Sequence, residues 1–294
     1  MIFTVIEKDK VEFTKCKDVS SDRCVTIPPE VVVKNGTDEH SFRVVSIGKE
    51  AFCHCSFPKK INIPDSVISI GYKAFYGCGS LEEIKISKIV TSIGEYAFAF
   101  CCSLTKINIP DSVTTIGDFV FLGCKSLTGI ILHYNMTTIG EGAFLNCMNI
   151  NEIDLPCSVT EIGTEAFKEC RSLERINIIG PVTTIGDGVF SGCDSLKEIS
   201  IPASVTSIRD YAFSGCKSLA KIIIPNSVTM IGDDAFDGCT SLKEIYCFST
   251  TPPKMKSLFG FGFGRGDVTV YVPRESVEMY RSADGWKEYE IRTM

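Results

Sequence analysis

Fifteen cysteines and three histidines are the side chains of this chain best suited to nucleophilic catalysis, disulfide formation or metal binding. Their spacing decides among those uses. Nine cysteines, Cys55, Cys78, Cys101, Cys124, Cys147, Cys170, Cys193, Cys216 and Cys239, stand 23 residues apart. A zinc site needs four ligands converging on a tetrahedron, and a straight column does not converge. Stacked cysteines come within disulfide range in Cα separation, but their side chains run parallel and their number is odd. A small apolar Cys beside a large ring packs well in a core. The column is therefore expected to hold free, buried thiols, with no metal and no cofactor. Cys53-His54-Cys55 and Cys101-Cys102 are denser, yet each joins one column member to a neighbour that should project away from the column. Cys16, Cys24, Cys157 and Cys247 show no metal-ligand spacing. His40, His54 and His133 fall in different parts of the repeat, and none accompanies a fixed Ser, Cys or Asp in the arrangement catalysis needs. His133 takes a column usually held by Pro and reads as a solvated edge residue. The carboxylates are scattered over exposed columns rather than paired against an apolar pocket. Gly260 to Asp267 is glycine-rich, but Arg265 stands where the last glycine of a dinucleotide fingerprint belongs. Its Arg265-Gly266-Asp267 is an integrin-type tripeptide, short enough to recur by chance. No catalytic residue is assigned, and the chain is not expected to be an enzyme.

The elements that carry these residues follow from the same period. Ile-Gly recurs at Ile47-Gly48, Ile70-Gly71, Ile93-Gly94, Ile116-Gly117, Ile139-Gly140, Ile162-Gly163, Ile185-Gly186 and Ile231-Gly232, with Ile208-Arg209 filling the gap. Phenylalanine keeps the same step from Phe52 to Phe236. The consensus is V-T-x-I-G-x-x-A-F-x-x-C-x-S-L-x-x-I-x-I-P-x-S. A unit this short cannot bury its own apolar side, so stacked neighbours must complete the core. The fold class is a repeat solenoid, one elongated body of nine turns over 44–250. Residues 1–43 read as an N-terminal cap and 251–294 as a C-terminal cap. Within a turn, Leu104-x-x-Ile107-x-Ile109 alternates as a short strand does, with Ile107 and Ile109 inward. Val113-Thr114-Thr115-Ile116 is a second extended piece, and Gly117 is expected to supply a turn conformation that side chains resist. Ala97-Phe98-x-x-Cys101 fits one turn of helix or 3-10 helix. In the caps, Lys8-Asp9-Lys10 and Lys34-Asn35-Gly36-Thr37-Asp38 read as hairpin turns. Val25 to Pro28 resembles a degenerate first repeat. Val268 to Val272 is expected to be a strand, and Glu275 to Arg281 a short helix.

Composition narrows the function. The 294 residues are 44% hydrophobic and 22% charged, which is a globular balance. The net charge of −6 argues against a nucleic-acid partner. No apolar run approaches the ~20 residues of a membrane span. The opening Met1 to Ile6 lacks the features of a secretory leader, which leaves the chain cytoplasmic or already relieved of one.

The segment L-x-x-I-x-I-P, after C-x-S and before V-T-x-I-G-x-x-A-F, resembles a leucine-rich repeat, and more narrowly the bacterial BspA-like class of 23-residue repeats. Thr251-Pro252-Pro253, Tyr271-Val272-Pro273, Ser276, Tyr280 and Gly285-Trp286 are similar to the closing segment of such proteins. The resemblance implies a right-handed leucine-rich-repeat superhelix with a curved sheet of short parallel strands. It also implies a non-catalytic, protein- or glycan-binding protein of the cell surface or secreted, used in adhesion. An intracellular interaction scaffold is the alternative.

The outward columns of the strands locate the binding face. The residue before the inward Ile reads Lys60, Glu83, Lys106, Gly129, Glu152, Arg175, Glu198, Lys221, Glu244, alternating in sign except at Gly129. Neighbouring opposite charges keep register and leave little net attraction. The next outward column is mostly polar, but Ile131, Ile223 and Tyr246 break the pattern. Ile223 and Tyr246 are adjacent, and Lys221, Lys243 and Glu244 surround them. An apolar centre with a charged rim is how interface hot spots are built. These five residues are the candidate binding site for a protein or glycan.

Overall fold

The computed structural model describes residues 1–15, 24–256 and 268–294. Cys16 and the Gly260 to Asp267 segment, with its Arg-Gly-Asp tripeptide, lie outside the described residues. The chain falls into two compact units, Met1–Met136 and Thr137–Met294. Each is a β-solenoid of 23-residue coils.

In the first unit the hairpin Ile2–Glu7 and Lys10–Lys15 is antiparallel, as is Glu30–Asn35 with Asp38–Ile47. Parallel pairing then takes over. Lys10–Lys15, Asp38–Ile47, Ser69–Ile70 and Ser92–Ile93 make one ladder. Cys24–Thr26, Lys60–Asn62 and Glu83–Lys85 make another, and Lys106–Asn108 pairs with Gly129–Ile131. The second unit carries a seven-stranded ladder of Glu152–Leu155, Arg175–Ile178, Glu198–Ser200, Lys221–Ile224, Glu244–Cys247, Thr269–Val272 and Glu290–Thr293. Thr184–Ile185, Ser207–Ile208, Met230–Ile231 and Lys254–Met255 form its second ladder. A 3-10 turn Arg274–Ser276 leads into the helix Val277–Ser282. Behind it Tyr280 and Trp286 are fully buried, the phenol donating to the Ser249 carbonyl at 2.9 Å and the indole N–H to the Pro253 carbonyl at 2.8 Å.

Stacking in register explains the consensus. Each column superposes like on like, so the Phe rings stack face to face. Centroids lie 5.1 Å apart for Phe52–Phe75 and 5.3 Å for Phe144–Phe167, with interplanar angles of 17° and 4°. Phe13 extends this column, 4.8 Å from Phe52, although it lies off the 23-residue phase. The Ser and Thr of the repeat bond back to the preceding coil. Ser227 Oγ donates to the Val205 carbonyl at 2.6 Å and Thr229 Oγ1 to the Thr206 carbonyl at 3.2 Å.

Two local expectations are corrected. The Ala-Phe-x-x-Cys segment is a ladder of turns rather than a helix. Its N–H groups alternate. Ala74 N–H donates within its own coil to Gly71 O at 3.2 Å, whereas Phe75 N–H reaches Ala97 O of the next coil at 2.8 Å. A helix turns its N–H groups onto its own carbonyls, so this alternation ties coils together where a helix would only pack. The alternation needs two left-handed residues per coil, among them Tyr96 at φ 56° and Phe100 at φ 60°. A left-handed non-glycine residue costs about 1–2 kcal/mol, and the interstrand bonds offset it. The Ile-Gly glycines serve a different purpose from the one expected. They have no positive φ; a Cβ at Gly232 would lie 2.4 Å from Asp210 N, so bare backbone is needed for close stacking. Gly117 and Gly186 are looser, a Cβ there meeting its nearest neighbour at 3.6 and 3.4 Å.

Candidate binding surface

Alternation along the strands divides their side chains between core and solvent. In Lys221–Ile224 and Glu244–Cys247, Ile222, Ile224, Ile245 and Cys247 are buried, while Lys221, Ile223, Glu244 and Tyr246 face outward. The parallel register aligns Lys221 with Glu244 and Ile223 with Tyr246. Ile223 is 44% exposed. Four of the five sequence-derived residues thus come together on one face. Lys243 stands one residue before its strand, exposed and outside that register.

The column continues where the sequence reading stopped. Tyr246 pairs with Tyr271, and Tyr271 with Arg292. The two phenol rings stack at 4.6 Å and 13°. Lys221 Nζ sits 4.1 Å over the Tyr246 ring. Tyr246 OH donates to Glu244 Oε2 at 3.4 Å. Desolvation, and then the Glu244 carboxylate, push the Tyr246 phenol above its ordinary pKa, so it stays a donor at neutral pH. Arg292 Nη2 donates to Glu290 Oε1 at 2.7 Å, which holds its guanidinium charge more firmly. Tyr271 belongs to a strand off the 23-residue phase, which is why periodicity did not place it beside Tyr246.

On the other side of Ile223 lies a shallow groove of about 440 Å³, lined by Arg175, Asn177, Glu198, Ser200 and Lys221 among others. The charge column closes pairs here as expected, Arg175 bonding Glu152 at 2.8 Å and also Asp154 at 3.0 Å. In the first unit Lys60 bonds Glu83 at 2.8 Å. Lys221 departs from that pattern by leaning over an aromatic ring.

The other chemistry-bearing residues settle into structure. The described cysteines are free. Eight column members are buried, and Cys55 is only half-buried because it lies near the start of the stack. The thiols do more than fill space. Cys78, Cys101, Cys124, Cys170, Cys193, Cys216 and Cys239 each donate to a Phe carbonyl of the preceding coil, as Cys78 to Phe52 at 3.0 Å and Cys193 to Phe167 at 3.2 Å. Burial pushes the Cys170 thiol up to about 12 and raises Cys101, Cys124, Cys193 and Cys216 likewise. Such thiols are poor nucleophiles. His133 is not a solvated edge residue: it is half-buried, with Nδ1 2.8 Å from Asp111 Oδ1. Among the described residues no group of three or more His, Cys, Asp or Glu could hold a metal ion, and no helix is long and apolar enough to cross a membrane.

Residues 45–174 and 160–259 match the BspA type leucine rich repeat region, in six copies. The chain belongs to this family. Among solved BspA-type and other leucine-rich-repeat structures, a leucine-rich repeat protein from Bacteroides ovatus is 30% identical, with a TM-score of 0.64. The match covers 99% of this chain but 65% of the Bacteroides protein, so the chain spans less than two thirds of that relative. The pneumococcal vaccine antigen PcpA shares the fold at 20% identity and a TM-score of 0.56, covering 99% of this chain and 96% of its own. A leucine-rich repeat protein from Eubacterium ventriosum does so at 22% and 0.51, covering 94% and 81%. No curated protein matches the chain.

Proposed function

We propose that this BspA-type chain is a non-catalytic interaction module of a surface or secreted protein, and that its sheet face from Arg175 to Arg292 docks a protein partner. The observation that carries this reading is the outward column Ile223–Tyr246–Tyr271, with Lys221 held on Tyr246. Its rings are fixed before binding, so little side-chain entropy remains to be lost on association. Both faces of Tyr246 are occupied, one by Lys221 and one by Tyr271. A sugar stacking on that ring would find no free face, whereas a protein surface can use its edge, its hydroxyl and the exposed Ile223. The leucine-rich-repeat family supports an interaction role. The test is affinity for a partner once captured. Tyr246→Ala and Ile223→Ser should each weaken binding tenfold or more, and Lys60→Ala should leave it unchanged. Equal affinity in all three, with folding intact, would place the site elsewhere.

One observation favours a second reading. Free thiols in this number are characteristic of reducing compartments, which suits an intracellular scaffold using the same face. Protease shaving of intact cells separates the two: a surface protein is digested, a scaffold is spared.

A further inference from the structure

The outermost strands of the two units are finished differently. Glu290–Thr293 ends the seven-stranded ladder of the second unit; its Glu290 and Arg292 pair at 2.7 Å and its Ile291 is buried. Charge on an edge strand discourages other strands from joining it. Ile2–Glu7 is the outermost strand of its sheet in the first unit, and among the described residues no strand pairs with its free edge. From Ile2 to Ile6 it carries no charged side chain and no proline. Ile2, Val5 and Ile6 are exposed, Val5 at 59%.

Val5 is exposed on the side that a core would cover. The antiparallel register sets Phe3 against Phe13 and Val5 against Val11. Opposed residues of an antiparallel pair share a face, and Phe13 and Val11 are core residues. Phe3 and Val5 therefore lie on the core face. Phe3 meets the Phe13 ring edge-on at 5.4 Å yet is only half-buried. The terminal layer of a solenoid needs a polar outer side to stand alone in water, and this one presents apolar side chains instead.

We propose that this edge is a homodimer interface, in which Ile2–Glu7 pairs antiparallel with the same strand of a second copy about a two-fold axis at Thr4. The side-chain pattern selects that occupant. With the two core faces level, odd residues can oppose only odd ones and even only even, because successive side chains alternate. An axis at Thr4 then sets Phe3 against Val5 twice, Ile2 against Ile6 twice, and Thr4 against itself. Aromatic and β-branched residues are favourable cross-strand partners. An axis at Val5 would set Phe3 against Glu7 and Ile2 against Lys8, and an axis at Phe3 would leave Ile6 outside the pairing. The backbone agrees: register with Lys10–Lys15 shifts between Ile2 and Phe3 and again between Val5 and Glu7, so the regular stretch Phe3-Thr4-Val5 is itself centred on Thr4. Charge agrees too. Residues 1–15 hold Glu7, Asp9 and Glu12 against Lys8, Lys10 and Lys15, so this hairpin is formally neutral and the net charge of −6 lies elsewhere on the chain. Two copies can approach through it without like-charge repulsion, and an isologous two-fold contact closes at the dimer.

Sedimentation velocity of the whole chain under reductant, from low to high micromolar concentration, reads the association directly. The wild type should pass from monomer to dimer and no further. Val5→Lys should weaken dimerisation tenfold or more, whereas Val32→Lys, at a site 52% exposed in Glu30–Asn35, should not. Tyr246→Ala should dimerise as the wild type does, which separates this edge from the docking face of the second unit. Thr4→Cys tests the axis without relying on the fold of Val5→Lys. Opposed Cα atoms lie ~4.5–5.5 Å apart, within disulfide reach, so diamide should convert this variant to a covalent dimer that reductant reverses. The wild type, whose Cys24 and Cys157 are also exposed, should remain uncrosslinked under the same conditions. A wild type that stays monomeric throughout, or a dimer untouched by Val5→Lys, would overturn the proposal. Dimers that Thr4→Cys cross-links no better than the wild type would overturn the axis. Growth beyond the dimer would overturn the two-fold contact.

Discussion

The thiol column makes this protein sensitive to alkali in a way that can be calculated. Cys101, Cys124, Cys170, Cys193 and Cys216 are fully buried, and burial raises the pKa of each. In the folded chain they keep their protons; in the unfolded chain they titrate near 8.5. A pKa raised on folding leaves stability intact below the unfolded value and removes it as pH climbs toward the folded one. For Cys170 that window runs from about 8.5 to about 12. Each such thiol then costs about 1.4 kcal/mol per pH unit. Once pH is well above the unfolded value, Cys170, Cys193 and Cys216 of the second unit together remove about 4 kcal/mol per unit, or roughly 5 kcal/mol in all between pH 8.5 and 10. Domains of this kind have about 5–15 kcal/mol in total. Urea midpoints followed by far-ultraviolet circular dichroism, under reductant at pH 7, 8.5 and 10, should show that steep fall. The double variant Cys170→Ala with Cys193→Ala should be less stable at pH 7, because it leaves two cavities and removes two thiol hydrogen bonds. Its alkaline slope should nonetheless be shallower by about 2.7 kcal/mol per pH unit. A wild type as stable at pH 10 as at 8.5, or a double variant with an unchanged slope, would refute the argument.

Other outcomes follow from the same packing. Phe144→Ala should cost about 3–5 kcal/mol by opening a cavity beside Phe167, read as a urea midpoint shift. Gly232→Ala should cost about 1–3 kcal/mol through overpacking, because its Cβ would press on Asp210 N. Gly117→Ala, whose Cβ would make only ordinary van der Waals contacts, should be neutral or stabilising by about 0.4–1 kcal/mol. Ser227→Ala should cost about 1 kcal/mol by removing the bond to the Val205 carbonyl.

Much of the fold was legible because identical residues at a fixed step can only mean stacked coils. The Ile, Phe and Cys columns therefore identified the core directly. What escaped was whatever left the phase. Phe13 reaches the ring stack from a hairpin strand, and Tyr271 and Glu290–Thr293 join the sheet through a different connection, so no 23-residue count reaches them. The turn ladder escaped for another reason: i, i+3 spacing is common to helix and to consecutive turns, and only backbone φ at residues such as Tyr96 separates them. The glycine column was read as conformational, whereas distances show it to be steric. At the binding face, Ile223 and Tyr246 stood out as pattern breakers, but the cover that Lys221 and Tyr271 give to the Tyr246 ring needed coordinates.

The docking face is tested most directly by photo-crosslinking. A benzophenone amino acid placed at Ile223, and in a control chain at Lys60, would be exposed to extract from the cells with which the protein makes contact. The account predicts one discrete protein adduct at position 223 and none at 60. Excess unlabelled wild type should compete the adduct away, and excess Tyr246→Ala should not. Equal adducts at both positions, or equal competition by both chains, would contradict it.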